Sequence, residues 1–240
     1  AASRFTGLSL FDWATAGFAG RDEPVSRAAR AMALGEGATG CSTVIGGGKA
    51  HPRAAALANG AISHALDYDD THFLHIGHPS VVVMSAALAV AEVQGSGGAA
   101  FLSALTRGLE LACRVGDWLG RSHYEAGFHQ TGTAGAFGAT AAAGRLLGLD
   151  EAAMTSALGL TTTRAAGLKS QFGTTAKPLN AGFAAEVGVT CALLASYGVV
   201  SNPEAFEDAQ GFGPTHAGSD RRQAFGGMGR DWVFPEVSYK

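Results

Sequence analysis

Histidine and aspartate residues are concentrated in one short segment of the chain. Between His64 and His78 there are four histidines and three aspartates. Neighbouring carboxylates and imidazoles shift each other's proton affinities, which suits acid–base catalysis. A polar helix end, where such groups only satisfy one another, is the plainer alternative, and a Zn or non-haem Fe site is a third. The metal site is the weakest of the three because no ligand pair has the HExxH-type helical spacing, and we expect no metal.

Two further segments place reactive side chains at the expected starts of helices. His129 precedes an Ala-rich run, where a helix N-terminus would lower imidazole basicity and attract anions. Lys177 precedes Pro178, and a proline is typical of a first helical turn. A lysine there adds to the positive end of the helix, which is unfavourable unless an anion binds. The alternatives are a buried histidine bonded to main-chain atoms and a solvated surface lysine.

The elements that must position these residues are expected to be helices. The chain is rich in alanine and contains 35 glycines, so helices can form and approach closely. The predicted helices are 7–19, 24–34, 52–70, 80–94, 98–120, 132–147, 151–159, 178–197 and 202–208. Period-2 alternation is scarce, and 41–45 is its only short candidate. The sequence therefore predicts an all-α fold.

The predicted helix 52–70 also predicts which side chains lie together. If it runs to about residue 70, His64, Asp67 and Thr71 share one face, because they are spaced at i, i+3 and i+7. Asp69 and Asp70 would then point elsewhere. His78 falls in the turn that follows, where functional residues are common.

Composition and charge narrow the classes of function. The 240 residues have a net charge of −3 and no basic run, which argues against a nucleic-acid partner. The apolar run 80–93 is too short to span a bilayer, so we expect no membrane association. Three well-separated cysteines make a disulfide framework improbable and favour a reducing, cytoplasmic location. The glycine-rich turns lack the context of a nucleotide fingerprint, and we expect no cofactor.

The domain organisation follows from the lack of any internal composition break. Residues 1–240 are therefore expected to form a single all-α domain. The residues from Trp232 to Lys240 are apolar and strand-like and end without a polar tail. We expect the chain to be truncated at both ends, with a further domain after Lys240.

Five motifs, taken in order, resemble the MmgE/PrpD family. They are Ala58-Asn-Gly with His64-Ala-Leu-Asp67-Tyr-Asp69-Asp70-Thr71, then His78-Pro79-Ser80, then Gly127-Phe128-His129 with Thr131, then Lys177-Pro178-Leu179, and finally Tyr239-Lys240. Their order and spacing cover nearly the whole chain and make the resemblance specific. It implies a helical domain followed by an α+β lid domain, an active site between the two, and a homodimer.

The resemblance also implies a set of site residues. One pocket would be lined by Asp67, Thr71, His78, His129, Lys177 and Lys240. We expect Asp67 to pair with an imidazole and His78 or His129 to move the proton. Thr71, Lys177 and Lys240 would bind substrate. Asn180 departs from the pattern, since many members carry histidine there.

The function implied is that of a cofactor-independent lyase acting on a small di- or tricarboxylate. The chemistry would be proton transfer at a carbon next to a carboxylate, as in 2-methylcitrate dehydratases or cis-aconitate decarboxylases. An isomerase resembling iminodisuccinate epimerases is an alternative, because it begins with the same proton removal. A non-catalytic helical dimerisation or binding domain is a second alternative, although it would not need clustered Asp, His and Lys.

Overall fold

Helices make up most of the structure, a computed structural model that describes residues 2–36 and 40–240. The α-helices are α1 Ala2–Gly20, α2 Pro24–Gly35, α3 Pro52–Ser63, α4 Pro79–Gln94, α5 Gly98–Glu125, α6 Gln130–Leu146, α7 Glu151–Thr162, α8 Leu179–Ser196 and α9 Phe212–Thr215. Short 3-10 turns lie at Lys169–Gln171, Arg222–Phe225 and Phe234–Glu236. With 63% of the residues in helices, the predicted all-α class is confirmed.

One small hairpin interrupts the helical pattern. Strands β1 (Ser42–Thr43) and β2 (Lys49–Ala50) pair antiparallel, with Ser42 opposite Ala50. This hairpin lies within and beside the predicted strand segment 41–45. The predicted strand character of 232–240 is wrong, because in this segment only Ser238 forms a β-bridge, and its partner is Thr71.

Two predicted helices differ most from the structure. Helix α3 ends at Ser63, seven residues before the predicted end, and His64 begins a turn. The face predicted to carry His64, Asp67 and Thr71 is therefore not helical. Residues 202–208 form turns instead of the predicted helix, and the short helix α9 follows them.

The core is built around α6 and α8. Helix α6 packs against α4, α5 and α8, while α8 also packs against α3. The α3–α8 contact depends on glycine, because a Cβ atom on Gly60 would lie 2.8 Å from the Cα of Gly182. Small residues thus allow helix axes to approach closely where larger side chains would separate them.

Helix α8 is long and apolar enough to cross a bilayer by length and composition alone. Its mean hydropathy is 1.4, and 61% of it is buried inside the helical assembly. Core helices of globular proteins show the same character. Packing against α3 and α6 accounts for the apolar sequence of α8.

A buried ion pair on α5 anchors the last part of the chain. Arg114 Nε donates to Glu110 Oε1 over 2.6 Å, and both side chains are almost fully buried. Arg114 Nη1 also donates to the main-chain oxygen of Ala224. Glu110 Oε2 accepts from the main-chain N–H groups of Val233 and Phe234, each at 3.0 Å. Residues 224–234 are therefore held against α5 by charge-assisted hydrogen bonds.

Main-chain hydrogen bonds join the segment around Ser238 to the loop after α3. The Thr71 N–H donates to the oxygen of Ser238 over 2.9 Å, and the Ser238 N–H donates back over 2.8 Å. This bridge places Lys240 next to Asp67.

Candidate active site

The starts of three helices converge on one cavity. His78 is the N-cap of α4, His129 is the N-cap of α6, and Lys177 lies two residues before α8. Helix N-termini carry partial positive charge and bind anions. The cavity has a volume of about 240 Å³ and is lined by Asp67, Ile76, Gly77, His78, Tyr124, His129, Phe172, Gly173 and Lys177.

Asp67 is the point where the cations of this site meet. Its main chain is in the left-handed region, with φ at 59°, which aspartate tolerates better than most residues. Its Oδ1 accepts from Lys177 Nζ at 2.5 Å and pairs with His78 Nε2 at 3.1 Å. Lys240 Nζ donates to its main-chain oxygen over 2.6 Å. Burial favours a raised pKa, but the hydrogen bonds from His78 and Lys177 outweigh it and hold the Asp67 pKa well below its usual range.

His78 is held between two carboxylates. While Nε2 faces Asp67, Nδ1 lies 3.1 Å from Asp69 Oδ2. Burial alone would lower the His78 pKa, but the charge of Asp69 and the bonds to Asp67 and Asp69 raise it to about 9. His78 is therefore an imidazolium at neutral pH.

Asp69 extends the network away from the cavity. Its carboxylate accepts from His64 Nδ1 at 2.9 Å, and both side chains are fully buried. Burial favours a raised pKa for Asp69, yet the two imidazoles hold it far below its usual range. Burial lowers the pKa of His64, against the opposing charge and hydrogen bond of Asp69. The network thus runs from buried His64 to Lys177 at the cavity.

His129 has a different environment from His78. Its pKa is lowered to about 2 by burial first, and then by the charges of His64 and Lys177. Its Nδ1 lies 3.0 Å from Asn180 Nδ2, and its ring meets Phe172 edge-on at 4.9 Å between centroids. His129 is therefore a neutral imidazole beside an imidazolium.

Most of the predicted site residues lie together. Asp67, His78, His129 and Lys177 line the same cavity, and Lys240 joins them through its contacts with Asp67. Thr71 does not line that cavity. It borders a neighbouring one of about 470 Å³, and its main chain bonds to Ser238.

The prediction about the two remaining aspartates is half right. The prediction that Asp69 points away from the site is wrong, because its carboxylate bonds to His64 and His78. Asp70 does point elsewhere and accepts hydrogen bonds from Ser9 and Ser80. The error follows from the helix end, since Asp69 lies in an irregular turn whose direction no helical period describes.

Sequence reasoning did not assign roles to four residues that contribute to the site: His64, Asp69, Tyr124 and Phe172. His64 and Asp69 belong to the His/Asp segment of the sequence, but their pairing depends on the turn after α3. Tyr124 and Phe172 line the cavity from α5 and from the loop before α8. Neither aromatic residue has a sequence signal that separates it from ordinary core packing.

The same cluster contains atoms that could hold a metal ion. One ligand atom from each of His64, Asp67, Asp69 and His78 lies within 4.8 Å of the others. These atoms already pair with one another, and the Lys177 ammonium lies 2.5 Å from Asp67. A divalent cation would have to displace an ammonium and deprotonate an imidazolium, so the donor set fits a metal poorly. That the site uses no metal stays a prediction.

Known proteins resemble this chain over most of its length. The model of the MmgE/PrpD N-terminal domain matches residues 2–224. The cis-aconitate decarboxylase-like protein oryM of Aspergillus oryzae is 34% identical over 212 residues, which are 84% of this chain and 44% of that protein. Human cis-aconitate decarboxylase is 31% identical over 171 residues, 69% of this chain and 35% of that protein. The enzyme of that name from Aspergillus terreus is 38% identical over 168 residues, 66% of this chain and 34% of that protein. The matches thus span less than half of each of these curated relatives.

Proposed function

Because this chain belongs to the MmgE/PrpD family, we propose that it carries the active site of a carboxy-lyase acting on a small unsaturated tricarboxylate such as cis-aconitate. The observation that carries this proposal is His78, a protonated imidazole at the wall of a small cavity between Asp67 and Asp69. A group that is protonated at neutral pH is ready to donate a proton. The names of the relatives support the same reaction.

The size and charge of the cavity support a small anionic substrate. At about 240 Å³ it is smaller than the roughly 300–1,000 Å³ of pockets that hold drug-sized ligands. The positive charges in the site outnumber the negative ones. They belong to Lys177, Lys240 and the His78 imidazolium, and the carboxylates that these groups contact are Asp67 and Asp69. The starts of α4, α6 and α8 add partial positive charge. The site can therefore attract an anion although the whole chain has a net charge of −3.

The proposed step uses His78 as the acid. The C–C bond to one carboxylate breaks to release CO2, and its electron pair forms a new C=C bond with the neighbouring carbon. The electron pair of the original C=C bond moves to the carbon next to a second carboxylate. That carbon takes the proton from His78, which then regains a proton from solvent.

Lys177, Lys240 and His129 stabilise the charge that develops on the second carboxylate. The two ammonium groups bind carboxylate oxygens, and His129 adds a neutral hydrogen-bond donor. A preorganised donor of this kind contributes about 2–4 kcal/mol to transition-state stabilisation. Phe172 and Tyr124 cover part of the cavity wall and reduce access of water.

Dehydration and epimerisation would begin with removal of a proton from carbon, whereas the proposed decarboxylation adds one. Both need a base that removes a proton from carbon, and an imidazolium cannot accept one. His78 as the structure holds it can therefore be the acid of a decarboxylation but not the base of these two reactions, which would need another group.

The first test is NMR of the purified protein in deuterated buffer with a chelator. We expect cis-aconitate to lose one carboxylate and its product to carry one deuterium next to a remaining carboxylate. The His78→Gln variant should be slower by about 10²–10⁴-fold, because the acid is gone. His51→Gln is the control, since His51 is exposed and makes no side-chain cap bond.

Other outcomes of the same experiment would contradict the proposal. Loss of water from 2-methylcitrate, or deuterium exchange into iminodisuccinate, with no reaction of cis-aconitate would indicate the dehydratase or the epimerase. No reaction with any of the three would favour a binding domain. Equal rates for His78→Gln and the unchanged protein would remove His78 from the mechanism.

A further inference from the structure

The side-chain amide of Asn180 makes two hydrogen bonds that define its orientation. Asn180 lies in the first turn of α8 and is 8% exposed. Its Nδ2 lies 3.3 Å from the main-chain oxygen of Leu168 and 3.0 Å from His129 Nδ1. A carbonyl oxygen can only accept, so the amide nitrogen and not the amide oxygen faces Leu168. That nitrogen has two hydrogens, and the second points to His129.

This orientation determines which nitrogen of His129 carries hydrogen. An amide N–H can only donate, so His129 Nδ1 must accept. In a neutral imidazole the hydrogen is then on Nε2. Within residues 2–36 and 40–240 this nitrogen has no protein hydrogen-bond partner. It is also not fully enclosed by protein atoms. Because His129 lines the cavity, its Nε2–H is available to a ligand there.

The surrounding main chain holds this pair in place. The His129 N–H donates to the oxygen of Gly167 over 2.9 Å, and Phe128 forms a β-bridge with Leu168. The two segments that carry His129 and the carbonyl partner of Asn180 are therefore joined directly. Burial and the nearby charges of His64 and Lys177 also keep the ring neutral.

We infer that Asn180 is a positioning residue that keeps the His129 imidazole in its Nε2–H tautomer, so that His129 meets the substrate as a hydrogen-bond donor and not as a base. The inference deepens the proposed function and rests on it for the identity of the acceptor, a carboxylate oxygen. It separates the tasks of the two histidines. His78 supplies the proton, while His129 stabilises negative charge through a neutral N–H.

The tautomer can be observed directly by long-range ¹H–¹⁵N correlation NMR of the protein labelled with ¹⁵N-histidine. The signal that disappears in His129→Gln identifies His129. We expect the neutral Nε2–H tautomer from pH 5.5 to 8. In Asn180→Asp, the new carboxylate should accept from Nδ1–H, so the tautomer reverses or the ring becomes protonated.

Asn202→Asp is the matched control, because Asn202 is exposed and its side-chain oxygen accepts from the main-chain N–H of Glu204. It should leave the His129 signals unchanged. An Nδ1–H tautomer in the unchanged protein would overturn the inference, and this measurement does not depend on a substitution at Asn180. Unchanged His129 signals in a folded Asn180→Asp protein would overturn it as well.

The outcome is independent of turnover. If His129 has the Nε2–H tautomer but cis-aconitate is not decarboxylated, the positioning role of Asn180 stands and the proposed reaction fails. If cis-aconitate is decarboxylated while His129 has the other tautomer, the reaction stands and the role of Asn180 fails.

Discussion

Asp67 combines a left-handed backbone conformation with contacts to three cationic side chains. Its left-handed backbone costs on the order of 1–3 kcal/mol for a non-glycine residue, so the surroundings must offset that cost. Contacts with Lys177, His78 and Lys240 do so, since they use its side chain and its main-chain oxygen together. The family resemblance implied that these residues line one pocket, but no sequence pattern predicted the turn that brings them together.

The reason lies in how α3 ends. Between Ser63 and Asp70 there is no glycine or proline to mark a helix end. The helix stops where His64 bonds to Asp69, which is a tertiary contact with the turn that follows. A helical period extended to residue 70 therefore predicts the wrong direction for the Asp69 side chain.

At the residue scale, we predict that Lys177→Met weakens binding of a polycarboxylate. Removing the ammonium takes one charge-assisted bond from the ligand and leaves Asp67 partly unpaired. Such bonds contribute about 1.5–3 kcal/mol, which corresponds to roughly 10–150-fold in Kd. Isothermal titration calorimetry with tricarballylate, a saturated analogue that cannot react as proposed, measures the change.

The control for this variant is Lys49→Met, because Lys49 is exposed on β2. It should bind tricarballylate as tightly as the unchanged protein. Equal affinities for Lys177→Met and Lys49→Met would show that Lys177 does not contact the ligand.

At the scale of elements, the sequence predicts the helices better than it predicts the contacts that hold the non-helical segments in place. Pro24, Pro52 and Pro79 each occupy a first helical turn, so these helix starts have a local signal. Glu110 and Arg114 have no such signal. In the sequence they form an i,i+4 pair like the exposed pair Arg121 and Glu125. Only the packing of residues 224–234 over α5 makes the first pair buried.

We predict that these two ion pairs differ strongly in their contribution to stability. Arg114→Met leaves the Glu110 carboxylate buried without its cation, which should lower the free energy of unfolding by about 3–5 kcal/mol. Arg121→Met, the matched control, should change it by less than about 0.5 kcal/mol. Urea unfolding followed by circular dichroism measures both.

The same pair of variants has a local consequence. In Arg114→Met, residues 224–234 should be cleaved faster by protease than in Arg121→Met, because their bonds to the guanidinium are lost. Equal stability and equal cleavage of the two variants would mean that the buried pair does not anchor the segment.

At the scale of the whole molecule, composition correctly predicted a helical chain with a large apolar core. It could not predict that an acidic protein has a cationic site, because net charge does not record where charges lie. The positive site arises from the convergence of three helix starts that are distant in sequence. The second copy and the α+β domain implied by the family resemblance stay predictions.

We predict that the protein is most stable near pH 6.5–7 and loses stability as the pH rises to 9. The pKa of His78 is raised from 6.5 to about 9, so the folded state binds this proton more tightly than the unfolded state. The resulting stabilisation, on the order of 3 kcal/mol, is complete below pH 6.5 and is lost as the pH rises through 9. Below pH 6.5 stability falls again, because His129 protonates only in the unfolded chain.

Urea unfolding between pH 5.5 and 9 tests this prediction. Above pH 6.5 the decline should be much smaller in His78→Gln and unchanged in His51→Gln. A free energy of unfolding that rises between pH 7 and 9 in the unchanged protein would contradict it.

The bridge between Thr71 and Ser238 has a consequence for how such sites can diverge. Lys240 is brought to Asp67 by bonds between main-chain atoms, which every residue except proline can make in both directions. The identities of residues 71 and 238 are therefore free to drift during evolution without moving the lysine. Among proteins that share this site, Asp67 and Lys240 should therefore vary little, while the residues at positions 71 and 238 should vary more.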